Sequence, residues 1–339
     1  MKDVEYIVAL TGGSEIVAKE IVAILEEGEF PCARVVAFVE SDEENVDLTF
    51  HGEDVPIEYL SEAGFRNVDL VFFAGDRKVS NEWIPAAAKA DCLVVDCSMT
   101  SGSDASGGGV IASGVNEGRM AESMGVVTCP GAASLQLATI IKPLHDAFTI
   151  KRVVVSTYQA VSEQGRSGIE ELETQLRHLL NYQEATSGTF PYQIACNCLP
   201  QVGSIDEDEY TSEEKTIVRE TRSILGDKSL QITVTACLVP VLFGHGLSVN
   251  IETVQESTPH TARAILSQAR GVSVFDNPGE QMYPMPLVVS GHEDVFVGRI
   301  RQDPSVEHGL NLWIVGDNIR NKASNAVRIG ASLLEQKIG

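Results

Sequence analysis

Short, continuous apolar runs separated by helical segments constrain this chain more than any other feature. Tyr6-Ile-Val-Ala-Leu10, Arg34-Val-Val-Ala-Phe-Val39, Leu70-Val-Phe-Phe73 and Cys92-Leu-Val-Val-Asp96 have strand length and little polar alternation. Strands of that kind are buried on both faces, as in a parallel sheet. Helical spacing over 16–25 and 81–90 supplies crossovers between them. The pattern predicts an α/β chain opening on a Rossmann-like parallel-sheet domain.

From Lys151 the strands lengthen and alternate, over 152–161, 233–242, 247–252, 295–302 and 310–315. Helices at 168–181, 212–225 and 258–268 intervene, which predicts an α+β second domain with a mixed sheet and helices on one face. A closing helix is expected over 324–335. The expected division is 1–128 with 320–339 for the first domain and 129–319 for the second.

Charge narrows the partners. The 48 acidic against 25 basic side chains give a formal charge of −23, which argues against nucleic acid and anionic membrane. It also opposes anionic ligands unless a local basic pocket exists. No apolar run reaches a membrane span and Met1-Lys-Asp-Val-Glu5 is no signal peptide, so a cytoplasmic protein is the expectation. The seven cysteines are odd in number and stand mostly in apolar, strand-like contexts, so reduced, buried thiols are expected. Cys196-Asn-Cys198 reads as a strand with both thiols on one face, and nothing has zinc spacing.

The decisive stretch for chemistry is Thr128-Cys-Pro-Gly-Ala-Ala-Ser-Leu-Gln136. The run Met124-Gly-Val-Val-Thr-Cys129 reads as a short strand, Pro130-Gly131 as a tight turn, and Ser134 to Phe148 has helical apolar spacing. Free N–H groups at such a helix start stabilise an oxyanion and lower a thiol pKa. Here the turn offers Ala132 and Ala133, and neither can attack anything.

Around that turn stand Lys142-Pro-Leu-His-Asp-Ala-Phe148, Arg152-Val-Val-Val-Ser-Thr-Tyr-Gln-Ala-Val-Ser162, Phe296-Val-Gly-Arg-Ile-Arg301 and Leu312-Trp-Ile-Val-Gly-Asp-Asn318. Together they closely resemble aspartate-semialdehyde dehydrogenase, over nearly the whole chain. That family reduces aspartyl phosphate with NADPH through a cysteine thioester, and its second domain forms a homodimer. Its active-site turn reads Asn-Pro-Asn-Cys-Ser-Thr-Ile-Gln. The resemblance puts the nucleophile position on Ala132 and the second asparagine on Gly131. Gln159 matches the substrate-orienting glutamine and His245 the general acid/base. The carboxylate-gripping arginine falls on Leu238, which cannot replace a bidentate guanidinium. The phosphate arginine falls on Gly102, and the phosphate-side lysine on Thr216 with Lys215 one place off. The family run Ser-Gly-Ala-Gly becomes Ser162-Glu-Gln-Gly165, which places Glu163 near the cofactor. The chain thus resembles a catalytically degenerate branch of the family, the Usg-type paralogues.

The cofactor loop is altered in the same sense. The family pattern Gly-x-x-Gly-x-x-Gly meets Gly12, Glu15 and Ala18, with Gly13 and Ser14 between. Glu15 puts a carboxylate where phosphate must sit. The second strand ends in Glu40-Ser-Asp-Glu-Glu-Asn-Val-Asp47, which repels the 2′-phosphate of NADP but could suit the ribose of NAD. No cofactor is expected, or NADP or NAD weakly at most. The expected protein is a non-catalytic structural, regulatory or ligand-binding homodimer. A mixed dimer with an active paralogue is permitted by shared interface residues. The alternative is an active NAD(P)-dependent oxidoreductase with a displaced nucleophile, for which Cys129 is the nearby thiol and Ser134 the nearby hydroxyl.

Overall fold

In the computed structural model, which describes residues 5–28, 30–40, 46–98 and 109–338, the apolar runs of the first third become a parallel sheet. The chain divides into two units, Met1–Pro130 with Lys322–Gly339, and Gly131–Asn321.

The first unit runs β1 (Tyr6–Thr11), α1 (Ile16–Glu26), β2 (Cys32–Val39), a small hairpin of β3 (Thr49–Phe50) and β4 (Glu53–Asp54), and β5 (Ile57–Tyr59). It continues through β6 (Leu70–Phe73), α2 (Arg77–Lys89), β7 (Leu93–Asp96) and β8 (Val126–Thr128). The sheet order is β5-β2-β1-β6-β7-β8, parallel throughout. Strands buried on both faces need two cores, and the unit has them. Val8, Leu10, Phe72 and Val95 pack with Ile21 and Leu25 of α1 and with Ala326, Ile329 and Leu333. Ala9, Val71, Phe73 and Val94 pack with Phe65 and with Ile84 and Ala87 of α2. The strand order reverses between β1 and β6, and there the two following loops touch. A β-carbon on Gly12 would meet the Gly75 Cα at 2.5 Å, and Gly12 has φ +71°. Glycine is required at that crossing by both space and conformation.

The second unit runs α3 (Ala132–Phe148), β9 (Ile150–Gln159), α4 (Gly165–Leu180), α5 (Ser212–Leu225), β10 (Gln231–Leu238) and β11 (His245–Thr253). Then follow α6 (Pro259–Leu266), β12 (Val272–Val274), the short α7 (Pro286–Val289), β13 (Val295–Asp303), β14 (Gly309–Gly316) and α8 (Asn318–Ile338). Helix α8 passes into the first unit at Lys322. The sheet is mixed, in the order β10-β9-β11-β14-β13-β12. Its two faces differ sharply. Val153, Val155, Leu247, Val249, Ile251, Leu310, Leu312 and Ile314 are buried. The alternate positions Arg152, Val154, Ser156, Tyr158, Ser248, Asn250 and Trp313 are exposed or half-exposed. Tyr158 and Trp313 pack there with ring centroids 5.7 Å apart and planes inclined at 56°.

Several expected elements shift. The strand expected over 152–161 stops at Gln159, because Val161–Gln164 closes into a 3₁₀ turn. The strand expected over 233–242 stops at Leu238, two residues before Pro240, which lacks the N–H a ladder needs. Cys196-Asn-Cys198 is not a strand. Cys196 has φ +59° in a turn, and both thiols are exposed, so the expectation of buried cysteines fails there. It holds for Cys92, Cys97 and Cys129. The closing helix begins at Asn318 rather than 324. No helix among the described residues is long and apolar enough to cross a membrane.

Candidate functional site

Helix α3 starts at the turn that the sequence singles out. Ala132 is its first residue, with 3 % exposure, and Gly131 is its N-cap with no side chain to close the first turn. The orphan N–H groups of such an end carry partial positive charge and attract an anion. Here the anion belongs to the chain. Glu220 of α5 accepts from the Gly131 N–H through Oε2 at 2.9 Å.

Seven residues earlier on α5, two helical turns away, Glu213 accepts from Gln159 Nε2 at 3.1 Å. Gln159 is the last residue of β9 and fully buried, and its Oε1 has no partner among the described residues. The next residue, Ala160, donates its N–H to His245 Nδ1 at 3.1 Å. With Nδ1 accepting, a neutral imidazole carries its proton on Nε2. That nitrogen lies 2.9 Å from Glu163 Oε2. His245 is 0 % exposed and the Glu163 side chain 26 %, so the carboxylate stands between the imidazole and solvent. Ser162 and Gly244, beside this pair, are both tied to Asn318.

The structure therefore brings Gly131, Ala132, Gln159, His245 and Glu163 into one locus with Glu213 and Glu220. Leu238 belongs to a different environment. It pairs in register with Gln159, yet its side chain, 4 % exposed, packs with Val161, Leu172, Phe190 and Leu199. Thr216 is buried and takes a 3.4 Å contact from Arg219 Nη2. Lys215 is drawn to the exposed side of α5 by Asp206 at 2.7 Å and Asp208 at 2.8 Å. Gly102 and the acids at 42–44 lie outside the described residues.

Glu213 and Glu220 are the site residues that the sequence reading missed. Their signal was present, since two acids seven apart share one face of a helix. What they meet depends on α5 packing against α3 and the end of β9, which no local pattern reveals.

The thiol offered as a displaced nucleophile lies in the first unit. Cys129 is 1 % exposed, with its Sγ 3.5 Å from that of Cys97 and 3.6 Å from Asn325 Nδ2. Burial, with the Cys129 thiol beside it, pushes the Cys97 thiol well above the ordinary range. Ser134 is likewise buried, and its Oγ has no partner among the described residues. A thiol or hydroxyl without an adjacent base and without access is a poor nucleophile.

Also in the first unit, a cavity of about 250 Å³ opens at the carboxyl ends of β1 and β2, beside the strand-order reversal. Thr11, Gly12, Ser14, Glu15, Glu40 and Asp76 supply its polar lining. The glycine loop is covered at Gly13, where a β-carbon would meet Val46 Cγ1 at 2.9 Å. Among the described residues no group of His, Cys, Asp and Glu is placed to hold a metal ion.

Comparison with known proteins matches residues 7–112 to the semialdehyde dehydrogenase NAD-binding domain. Residues 141–321 match the semialdehyde dehydrogenase dimerisation domain. The aspartate-semialdehyde dehydrogenase of Aquifex aeolicus is 38 % identical over 336 residues, covering 98 % of both chains. That of Legionella pneumophila is 39 % identical, over 97 % of this chain and 96 % of its own. Aspartate semialdehyde dehydrogenase II of Vibrio cholerae, solved in complex with ASA, superposes with a TM-score of 0.92 at 32 % identity, over 98 % of this chain and 99 % of that one. A probable aspartate-semialdehyde dehydrogenase from Pseudomonas aeruginosa gives 0.91 at 27 % identity, over 98 % of this chain and 100 % of that one.

Proposed function

We propose that this chain, which belongs to the aspartate-semialdehyde dehydrogenase family, has left the family reaction and serves as a non-catalytic homodimer with a structural, regulatory or ligand-binding role. The start of α3 carries this reading. The residue at the nucleophile position is Ala132, and the anion site beside it is filled by Glu220. A methyl group has no lone pair to attack an aldehyde or acyl phosphate, and removing a covalent nucleophile can cost on the order of 10⁶ in turnover.

The acid/base position supports the same conclusion. Both nitrogens of His245 are engaged, one by the Ala160 N–H and one by Glu163. A ligand would meet the Glu163 carboxylate before the imidazole. Leu238, set in an apolar cluster, offers a substrate carboxylate nothing to bind.

The cofactor residues do not fit NADP. A pyrophosphate needs open backbone and a helix start free of negative charge. Here Val46 and Leu48 cover Gly13, Glu15 stands at the N-cap of α1, and Glu40 ends the lining at β2. Homodimerisation is supported by the match to a dimerisation domain and by the half-exposed sheet face carrying Tyr158 and Trp313. A mixed dimer with an active paralogue would use the same face.

The direct test is phosphate-dependent oxidation of aspartate semialdehyde with NADP by the purified protein. The reading expects no NADPH above the buffer rate. Turnover that scales with protein concentration and survives repurification would defeat it.

A further inference from the structure

Cys196-Asn-Cys198, which the site above does not use, lies in a turn held from beneath. Gln175 of α4, 1 % exposed, accepts from the Ile194 and Ala195 N–H groups through Oε1 at 2.9 and 3.0 Å. Asn197 closes the turn, donating its N–H to the Ile194 carbonyl at 3.0 Å and accepting from the Cys198 N–H through Oδ1 at 2.8 Å. The next residue, Leu199, pairs with Leu238 in an isolated antiparallel bridge, with N–H···O distances of 3.0 and 2.8 Å.

Side chains alternate along both segments of such a bridge. Leu199 and Leu238 enter the apolar cluster of Val161, Leu172 and Phe190, so the residues before them, Cys198 and Cys237, stand on the opposite side as a diagonal pair. Cys198 is exposed and Cys237 half-buried. The two thiols are in hydrogen-bonding contact. Burial first, and then this neighbour, push the Cys237 thiol above its ordinary value. Among the described residues no third His, Cys, Asp or Glu joins them to hold a metal ion, so the chemistry on offer is that of a dithiol.

We infer that Cys198 and Cys237 form a thiol–disulfide exchange site that takes a small soluble disulfide of the glutathione class. Cys198, the accessible sulfur, attacks as thiolate and expels one small thiolate, which leaves a mixed disulfide on Cys198. The Cys237 thiolate then attacks the Cys198 sulfur, forms the Cys198–Cys237 bond and expels the second small thiolate. The protons of the two protein thiols pass to the two products. One external disulfide is thereby reduced to two thiols as the pair is oxidised. The new bond ties the turn to the end of β10 beside the Leu199–Leu238 bridge. None of this rests on the loss of the family reaction.

Cys237 stands in register with Tyr158 of the open sheet face, on the edge strand β10, so the test uses the full-length protein in its native assembly. It is oxidised with glutathione disulfide at pH 8, quenched by alkylation and mapped by peptide mass. The unsubstituted protein should lose the Cys198 and Cys237 thiols together and gain a cross-link between their peptides that a reductant removes. Cys196→Ser should form the same cross-link at the same rate. Cys237→Ser should stop at a stable glutathione adduct on Cys198. In Cys198→Ser, the half-buried Cys237 should react about tenfold more slowly than Cys198 does in the unsubstituted protein. Amide exchange at Leu199 and Leu238 should slow on oxidation of the unsubstituted protein. A lasting glutathione adduct on Cys198 of the unsubstituted protein, a cross-link made by Cys196 instead, or an unreactive Cys198 in the native assembly would overturn the inference.

Discussion

At the residue scale, the site is defined by what its carboxylates hold. Glu163, Glu213 and Glu220 each bind a donor that a substrate could otherwise use. On the proposed reading, restoring a thiol alone is not expected to restore the family chemistry. Ala132→Cys is expected to show no phosphate-dependent turnover in the NADP assay, because Leu238 still faces an apolar cluster and Glu163 still closes His245. Motifs in the sequence single out Ala132, Gln159 and His245, whereas for Glu213 and Glu220 the sequence shows only two acids on one helix face and not the donors that they meet. A second residue-scale expectation concerns alkaline pH. Burial pushes the Cys32 and Cys92 thiols up from 9.0 to about 11. An unfolded thiol loses its proton at the lower value, so the folded state keeps this contribution in full below pH 9 and loses it as pH rises toward 11. Denaturant titrations at pH 8 and 10.5 should show stability falling, and Cys32→Ala with Cys92→Ala should flatten part of the fall.

At the scale of elements, α3 and α5 act as one device. Helix α5 opens on a capping box in which Thr211 and Glu214 satisfy each other's backbone N–H groups. Glu214 also accepts from the Ala236 N–H of β10, which fixes the helix against the sheet. Rigidly placed in this way, α5 delivers Glu220 to the start of α3. A charge at a partly buried helix end contributes roughly 1–2 kcal/mol. Glu220→Gln should therefore speed hydrogen exchange in the first turn of α3 by about tenfold. An unchanged rate would mean that the carboxylate is a bystander. Long elements were legible because their apolar period is unambiguous, as with β9 and α5. The ends were not. β9 stops at Gln159 because the chain turns to bring Glu163 to His245, and the stretch from Cys196 to Cys198 turns at a left-handed residue that alternation cannot foresee.

At the scale of the whole molecule, the second unit retains a sheet with one covered and one open face. Tyr158, Trp313, Val154 and Ser248 on the open side call for a partner, and a two-fold copy supplies the same face in return. An obligate interface of this kind buries above roughly 2,000 Å². Light scattering at low micromolar concentration should give twice the 36.5 kDa chain mass. A stable monomer would leave the open face unexplained. The central claim, that no side chain performs the covalent step, is tested most directly by intact-mass analysis. The protein is incubated with aspartate semialdehyde and NADP in the absence of phosphate. A working nucleophile would add to the aldehyde, pass hydride to NADP and remain as an acyl-enzyme. The account predicts an unchanged protein mass and no stoichiometric burst of NADPH. An acyl adduct on Cys129, or on any other residue, with one NADPH formed per adduct, would contradict it.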